Sequence, residues 1–304
     1  MKSIVIIVTY NRKELLKESI EALINQTNKN FDLLIVDNAS TDNTYNDIVS
    51  KYESDKIKYI NTQKNLGGAG GFNFGLKRAI LDGYDYAWVM DDDSICTNTA
   101  FESIVNKAKD LNYEFSYISS KVNWTDGSLC KMNRVELDKE GIQENYSLVS
   151  KNMLAIKTAS FVGCFINLKY ARMVGLPIKE FFIYADDFEY TMRLSNVQKA
   201  YLDLDSVIVH KMKDNNTSEI NTVSEQRIDR YFYDFRNVMF INIKVQGFMG
   251  FIKSIYRYLK YVVKILKSKN TKKWKRICII TKGTFCGMFF RPKIEIVNEG
   301  ENNV

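Results

Sequence analysis

Tyr86-Ala87-Trp88-Val89-Met90-Asp91-Asp92-Asp93 is a short apolar run that ends in three consecutive carboxylates. Adjacent like charges repel and Asp is a poor strand former, so this pattern is not one that stability selects. A buried strand that delivers carboxylates to its carboxyl end suits the ligand crevice of an open α/β sheet. Hard oxygen ligands grouped in this way fit Mg²⁺ or Mn²⁺, ions that commonly carry phosphates. The plain alternative is a solvated acidic turn that caps a helix beginning near Asn98. These residues alone leave both readings open.

The flanking chain supplies the sheet. Ser3 to Thr9 is a β-branched run of the kind found in buried parallel strands. Asn11 is expected to cap a helix with Leu15, Leu16, Ser19, Ile20, Leu23 and Ile24 on its apolar side. Phe31 to Val36 forms a second strand and ends at Asp37-Asn38. Ser40-Thr41-Asp42 then offers N-cap chemistry to a helix through Ile48, Val49 and Tyr52. Ile57 to Asn61 is a third strand. A glycine loop, Gly67-Gly68-Ala69-Gly70-Gly71, leads into a helix from about Phe72 to Asp82, and Tyr86 to Met90 is the fourth strand. Strands alternating with helices predict a mostly parallel α/β sheet with right-handed crossovers.

Beyond the aspartates the order loosens. A helix is expected over Asn98 to Leu111, and strands over Phe115 to Val122 and Ser160 to Asn167. Two short strands follow, Ala200 to Leu204 and Val207 to Val209. Trp124 to Tyr146 resists assignment, and polar residues 213–224 read as an open loop. From Arg227 onward the pattern is helical.

Four groups outside the triple aspartate carry candidate chemistry. Thr9-Tyr10-Asn11-Arg12 and Asp37 meet the same crevice, where Tyr10 can stack on a nucleobase and Asp37 can accept a base N–H. The glycines either let a ligand approach the backbone, presenting N–H groups to an anion, or serve close helix packing. They match neither a Walker loop nor a dinucleotide fingerprint. Asp186-Asp187-Phe188-Glu189 opens a helix, where the helix dipole favours carboxylates, yet it follows an aromatic run that can desolvate one of them into a general base. His210, the only histidine, ends an apolar run and is suited to ligate a metal beside two carboxylates.

Together these motifs resemble family 2 glycosyltransferases with the GT-A fold, over about residues 3–240. More narrowly, Asn65 to Phe72, Trp88 to Asp93, Phe182 to Arg193 and His210 are similar to bacterial galactofuranosyltransferases. Tyr231 to Asn237 resembles an aromatic-Arg-Asn stretch of such polysaccharide enzymes. The resemblance implies inverting transfer of galactofuranose from UDP-galactofuranose to a lipid-linked saccharide acceptor. It implies Asp91, Asp93 and His210 as ligands of Mn²⁺ or Mg²⁺, and Asp187 as the base. Asp186 and Glu189 would bind the acceptor, while Thr9, Tyr10, Arg12, Asp37, Gly67, Gly68 and Asp92 would bind the nucleotide sugar, Asp92 at the ribose. Ala185 stands where the family often has Trp, which removes a sugar-stacking surface. A rhamnosyltransferase using dTDP-rhamnose and a non-catalytic membrane or nucleic-acid adaptor are the alternatives.

Charge divides the chain. Residues 253–293 hold 13 Lys/Arg and no Asp/Glu, leaving 30 Lys/Arg against 36 Asp/Glu elsewhere. Ile252, Ile255, Leu259, Val262, Val263 and Leu266 recur at helical spacing, with cations one position later. An acidic catalytic domain at 1–240 and a basic helical region at 241–304 are expected, the latter resting on an anionic membrane surface. No nucleic-acid motif is present, and nucleic acid is not an expected partner. Five scattered cysteines without ligand spacing point to a reducing compartment. No signal-peptide pattern and no run of ~18 apolar residues is visible. The expected location is the cytoplasm, peripheral on the inner face of the cell membrane.

Overall fold

A computed structural model describes residues 1–139, 142–216 and 219–297. The amino-terminal half alternates as expected: β1 (Ser3–Thr9), α1 (Lys13–Ile24), β2 (Asp32–Asp37), α2 (Thr44–Asp47), β3 (Ile57–Asn61), α3 (Gly67–Leu81) and β4 (Tyr86–Asp91). The chain continues through β5 (Ser94–Cys96), α4 (Ala100–Asp110), β6 (Tyr117–Asn123), β7 (Glu136–Leu137), α5 (Ile142–Val149), β8 (Met153–Thr158) and β9 (Cys164–Asn167). It ends with α6 (Leu168–Val174), α7 (Asp186–Ser195), β10 (Ala200–His210), α8 (Tyr231–Lys267) and α9 (Lys273–Phe289).

Among the described residues the strands form one mixed sheet in the order β3-β2-β1-β4-β9-β6-β10-β8-β7, with β5 paired to β10. β3, β2, β1 and β4 are parallel, and their register sets Thr9 against Asp37 and Val8 against Asp91. The carboxyl ends of these strands therefore lie level, as a ligand crevice requires. Alternate side chains of β1 feed two cores. Val5 and Ile7 pack with Leu16, Ile20, Phe101 and Ile104 on one face. Ile4, Ile6 and Val8 pack with Leu76, Tyr190 and Leu194 on the other.

Several expectations are corrected. Asn11 does not cap α1: it has φ 54°, and its side-chain oxygen accepts the Thr41 amide at 2.7 Å, tying the turns after β1 and β2 together. Ile24 is exposed. The helix after Ser40-Thr41-Asp42 is one turn long and lacks a side-chain cap. The glycines are not a loop but the first turns of α3, because the helix lies on β1 too closely for side chains. A Cβ on Gly71 would come 2.5 Å from Val8, and one on Gly75 2.5 Å from Ile6. The two short strands at 200–209 are one strand, β10, with a register shift between Asp203 and Val207. The polar stretch at 213–224 is anchored: Ile220 and Val223 are buried with Ile228, Tyr231 and Ile280, while Thr217 and Ser218 lie outside the described residues.

The carboxyl-terminal helices form a hairpin against this body. The boundary expected at residue 240 falls inside α8, and the backbone break lies at Gly247 (φ 55°, ψ −130°). By length and composition alone the helical run Glu225–Lys267 is long and apolar enough to cross a membrane. The chain then returns to the sheet domain, where Glu295 pairs with Lys77 at 2.8 Å and Lys179 at 2.9 Å.

Candidate active site

β4 ends at Asp91, and the turn to β5 carries Asp92 and Asp93. The antiparallel pairing of β5 with β10 sets Ser94 opposite His210. This brings the histidine ring to the aspartates from more than a hundred residues away. Asp91, Asp93 and His210 each offer a ligand atom, and these atoms lie within 4.8 Å of one another. His210 Nδ1 is 2.8 Å from the Asn133 side-chain oxygen. That acceptor favours the proton on Nδ1 and turns Nε2, 3.0 Å from Asp93 Oδ1, toward the carboxylates. Asp93 Oδ1 is buried and has no donor aligned on it as a hydrogen bond.

The electrostatics ask for a cation here. Asp91 is pushed up to about 7 by burial and then by Asp93, against the pull of His210. Burial opposes a charged His210, yet the close approach of Asp93 and Cys130 and the field of both aspartates outweigh it and push the imidazole up to about 10. Asp93 lies below the usual carboxylate range, because His210 and Arg12 outweigh its burial. The donor set of two carboxylates and one imidazole, with an orphaned buried oxygen, fits Mn²⁺ or Mg²⁺.

Asp92 is turned the other way. Thr9 Oγ1 donates to its Oδ2 at 2.8 Å and Arg12 Nη1 to its Oδ1 at 3.2 Å. Arg12 also donates to Asp93 at 2.7 Å. Both Asp92 oxygens are thus engaged within the protein, and the carboxylate ties β1 to the aspartate turn rather than facing open space. Burial pushes it up to about 6, against Arg12. Asp37 is likewise buried, accepting the Ser40 amide at 2.8 Å and the Tyr59 hydroxyl. Tyr10 is exposed at the rim.

The second acidic group faces the first. Asp186 is buried and held well above the usual carboxylate range by burial, then by Asp187, with Asp91 also contributing. Asp91 is near enough for its field to reach Asp186. Asp187 is half-buried, and its Oδ1 accepts the Phe188 amide at 2.7 Å. Burial pushes it up to about 6 against these backbone donors. A carboxylate with that affinity is ionised at neutral pH and basic enough to take a proton. Glu189 is fully buried, and its oxygens receive Arg193 at 2.9–3.0 Å and Lys244 at 3.1 Å. Here it links α7 to α8 instead of presenting an open carboxylate.

The start of α3 packs against the segment that leads into α7. Gly67 has φ +71°, and a Cβ there would sit 2.1 Å from the Phe182 carbonyl oxygen. Gly68 is different: a Cβ on it would meet nothing within 4 Å. The two glycines therefore do separate jobs, one for packing and one leaving open space beside the backbone.

Sequence reasoning missed Asn133 and Cys130, which flank His210 from a stretch that has no periodicity. It also gave no role to Arg236 and Asn237, although the motif that contains them was legible.

The pattern of glycosyl transferase family 2 matches residues 4–165. A galactofuranosyltransferase of Mycolicibacterium smegmatis is 38% identical over 88 residues, 29% of this chain and 28% of that protein. A galactofuranosyltransferase of Mycobacterium tuberculosis is 26% identical over 201 residues, 62% of this chain and 63% of that protein. The chain thus matches less than two thirds of the length of either relative. The crystal structure of S. aureus TarS 1-349 in complex with UDP superposes with a TM-score of 0.56 at 17% identity, covering 92% of this chain and 71% of that one. That likeness shows the fold, a GT-A-like mixed sheet flanked by helices. The chain belongs to glycosyl transferase family 2.

Proposed function

We propose that this family 2 member is an inverting, metal-dependent glycosyltransferase that moves galactofuranose from UDP-galactofuranose to a lipid-linked saccharide acceptor. The observation that carries this reading is the crevice with Asp91, Asp93 and His210 on one side and the α7 carboxylates on the other. A divalent cation held by the first three would offset charge on the leaving diphosphate as a Lewis acid. Asp187 takes the proton of an acceptor hydroxyl as its oxygen bonds to the anomeric carbon. The bond from that carbon to the diphosphate oxygen breaks, and UDP leaves with the electron pair. Arg12, Thr9 and Asp92 hold the crevice floor, Tyr10 lies at the rim where a base can stack, and open space at Gly68 lets the donor approach the backbone. The preference for galactofuranose rests on the two relatives named for that activity and on the glycine-rich start of α3.

The exposed face of α8 supports a membrane-peripheral enzyme. Phe248, Ile252, Tyr256, Leu259, Val263 and Leu266 are all exposed, and at ~100° per residue they share one narrow stripe. Lys253, Lys260 and Lys267 flank that stripe, a pattern suited to an anionic bilayer surface. The chemistry is tested by Asp187→Asn, which should abolish sugar transfer while Mn²⁺-dependent UDP binding persists by calorimetry. Normal turnover in that variant would remove the base assignment.

A further inference from the structure

The segment that delivers the α7 carboxylates is a strained one. Phe182, Tyr184 and Ala185 have φ of 63°, 69° and 63°, a left-handed conformation that side chains disfavour. Such a run persists only where its surroundings hold it. The holder is on α8. Asn237, fully buried, donates through its amide nitrogen to the carbonyls of Phe181 at 3.1 Å, Ile183 at 3.1 Å and Tyr184 at 2.9 Å. Its amide cannot turn over, because its oxygen is taken by the Arg236 guanidinium at 2.8 and 3.0 Å. Arg236 in turn bonds the Glu180 carbonyl and lies 4.0 Å over the Phe290 ring.

On its other side the same segment rests on the start of α3. The Phe182 carbonyl accepts the Ala69 amide at 3.2 Å and fills the space that a Gly67 side chain would need. The segment is therefore clamped between the glycine turn and α8, and its next residues are Asp186 and Asp187.

We infer that Asn237, oriented by Arg236, is a positioning residue for Asp187: it fixes segment 182–185, with its left-handed Phe182, Tyr184 and Ala185, and so sets where the base stands relative to the glycine turn. Asn237 is more than ten residues before the exposed stripe of α8 begins, so this half of the helix belongs to the catalytic machinery rather than to the membrane-facing part. The inference rests on the proposed role of Asp187, and the test separates the two.

Asn237→Ala, Arg236→Lys and Asp187→Asn are compared in the full chain with Mn²⁺ and UDP-galactofuranose. Folding is followed by circular dichroism, UDP affinity by calorimetry, and kcat and KM by UDP release in the presence of acceptor. Misplacing a base by about 1 Å costs on the order of 100-fold in rate. Asn237→Ala should lose about that factor in kcat, with UDP affinity and donor KM within about twofold of the parent. The acid limb of its kcat–pH profile should move, since the burial that raises Asp187 changes when the start of α7 shifts with the segment. Arg236→Lys keeps the charge but loses the two-pronged hold on Asn237. It should show a smaller loss of the same kind, and it decides the matter if Asn237→Ala does not fold. A folded Asn237→Ala or Arg236→Lys with parental kcat and pH profile overturns the inference, as does a loss confined to UDP affinity. If Asp187→Asn is inactive while Asn237→Ala is normal, positioning alone fails. If Asp187→Asn turns over normally, the base assignment fails and takes the inference with it.

Discussion

Gly67 and Gly68 are neighbours of one residue type, yet the structure predicts opposite outcomes for the same substitution. In Gly67→Ala the new methyl would sit 2.1 Å from the Phe182 carbonyl oxygen and 2.7 Å from its carbon. Both are backbone atoms between Phe181 and Ile183, whose carbonyls Asn237 holds, so they cannot swing aside freely. The left-handed φ of +71° adds a penalty of ~1–2 kcal/mol. Overpacking against a fixed wall adds ~1–3 kcal/mol. The sum, ~2–5 kcal/mol, should lower the thermal midpoint by roughly 3–8 °C for a protein of this size. Gly68→Ala meets nothing within 4 Å, and replacing a helical glycine by alanine gains up to ~1 kcal/mol. It should leave the midpoint unchanged or raised while weakening Mn²⁺-dependent UDP-sugar binding, because the methyl fills space where a donor would pass. Differential scanning calorimetry and titration with UDP read the two effects separately. A Gly67→Ala protein as stable as the parent, or a Gly68→Ala protein that is less stable, would refute the packing argument.

Three further outcomes follow from the same geometry. His210→Ala removes one of three ligands and should raise the Mn²⁺ concentration for half-maximal activity by about tenfold or more; an unchanged metal titration would contradict the ligand role. Asp187 must be ionised to accept a proton and is pushed up to about 6. At saturating metal and donor, kcat should therefore rise as pH climbs through about 6 and fall about tenfold per unit below it, measured as UDP release. Lys260→Glu with Lys267→Glu should reduce sedimentation with phosphatidylglycerol vesicles and leave transfer to a soluble acceptor analogue intact, since both side chains are exposed on α8; equal sedimentation would dismiss the basic flank as a membrane contact.

Much of the fold could be read because β1, β2 and β4 are nearly uninterrupted apolar runs that end in Asp or Thr. Two independent rules, buried parallel strands and carboxylates at strand ends, agree there. The glycine segment misled for a physical reason. Glycine is a poor helix former in isolation, but the close approach of α3 to Val8 and Ile6 requires it. The sequence pattern divides β10 at Asp205-Ser206, which interrupt its apolar run, and the register shift between Asp203 and Val207 carries the strand across them. Ligand candidates were legible as residue types, whereas their orientation was not. Asp92 and Glu189 look like open carboxylates in one dimension, but Thr9 with Arg12, and Arg193 with Lys244, come to them from distant elements or the next helical turn. Asn133 carries no local signal at all, since its importance comes only from the position of His210.

The central claim is metal-dependent transfer from a UDP-sugar, and UDP release is its most direct measure. The purified chain would be incubated with a lipid-linked saccharide acceptor and either UDP-galactofuranose or dTDP-rhamnose, with Mn²⁺ or with EDTA. Nucleotide release and a galactofuranose-extended product are expected with UDP-galactofuranose and Mn²⁺, and both are lost with EDTA and with Asp187→Asn. Release from dTDP-rhamnose alone, or equal rates with and without metal, would contradict that claim.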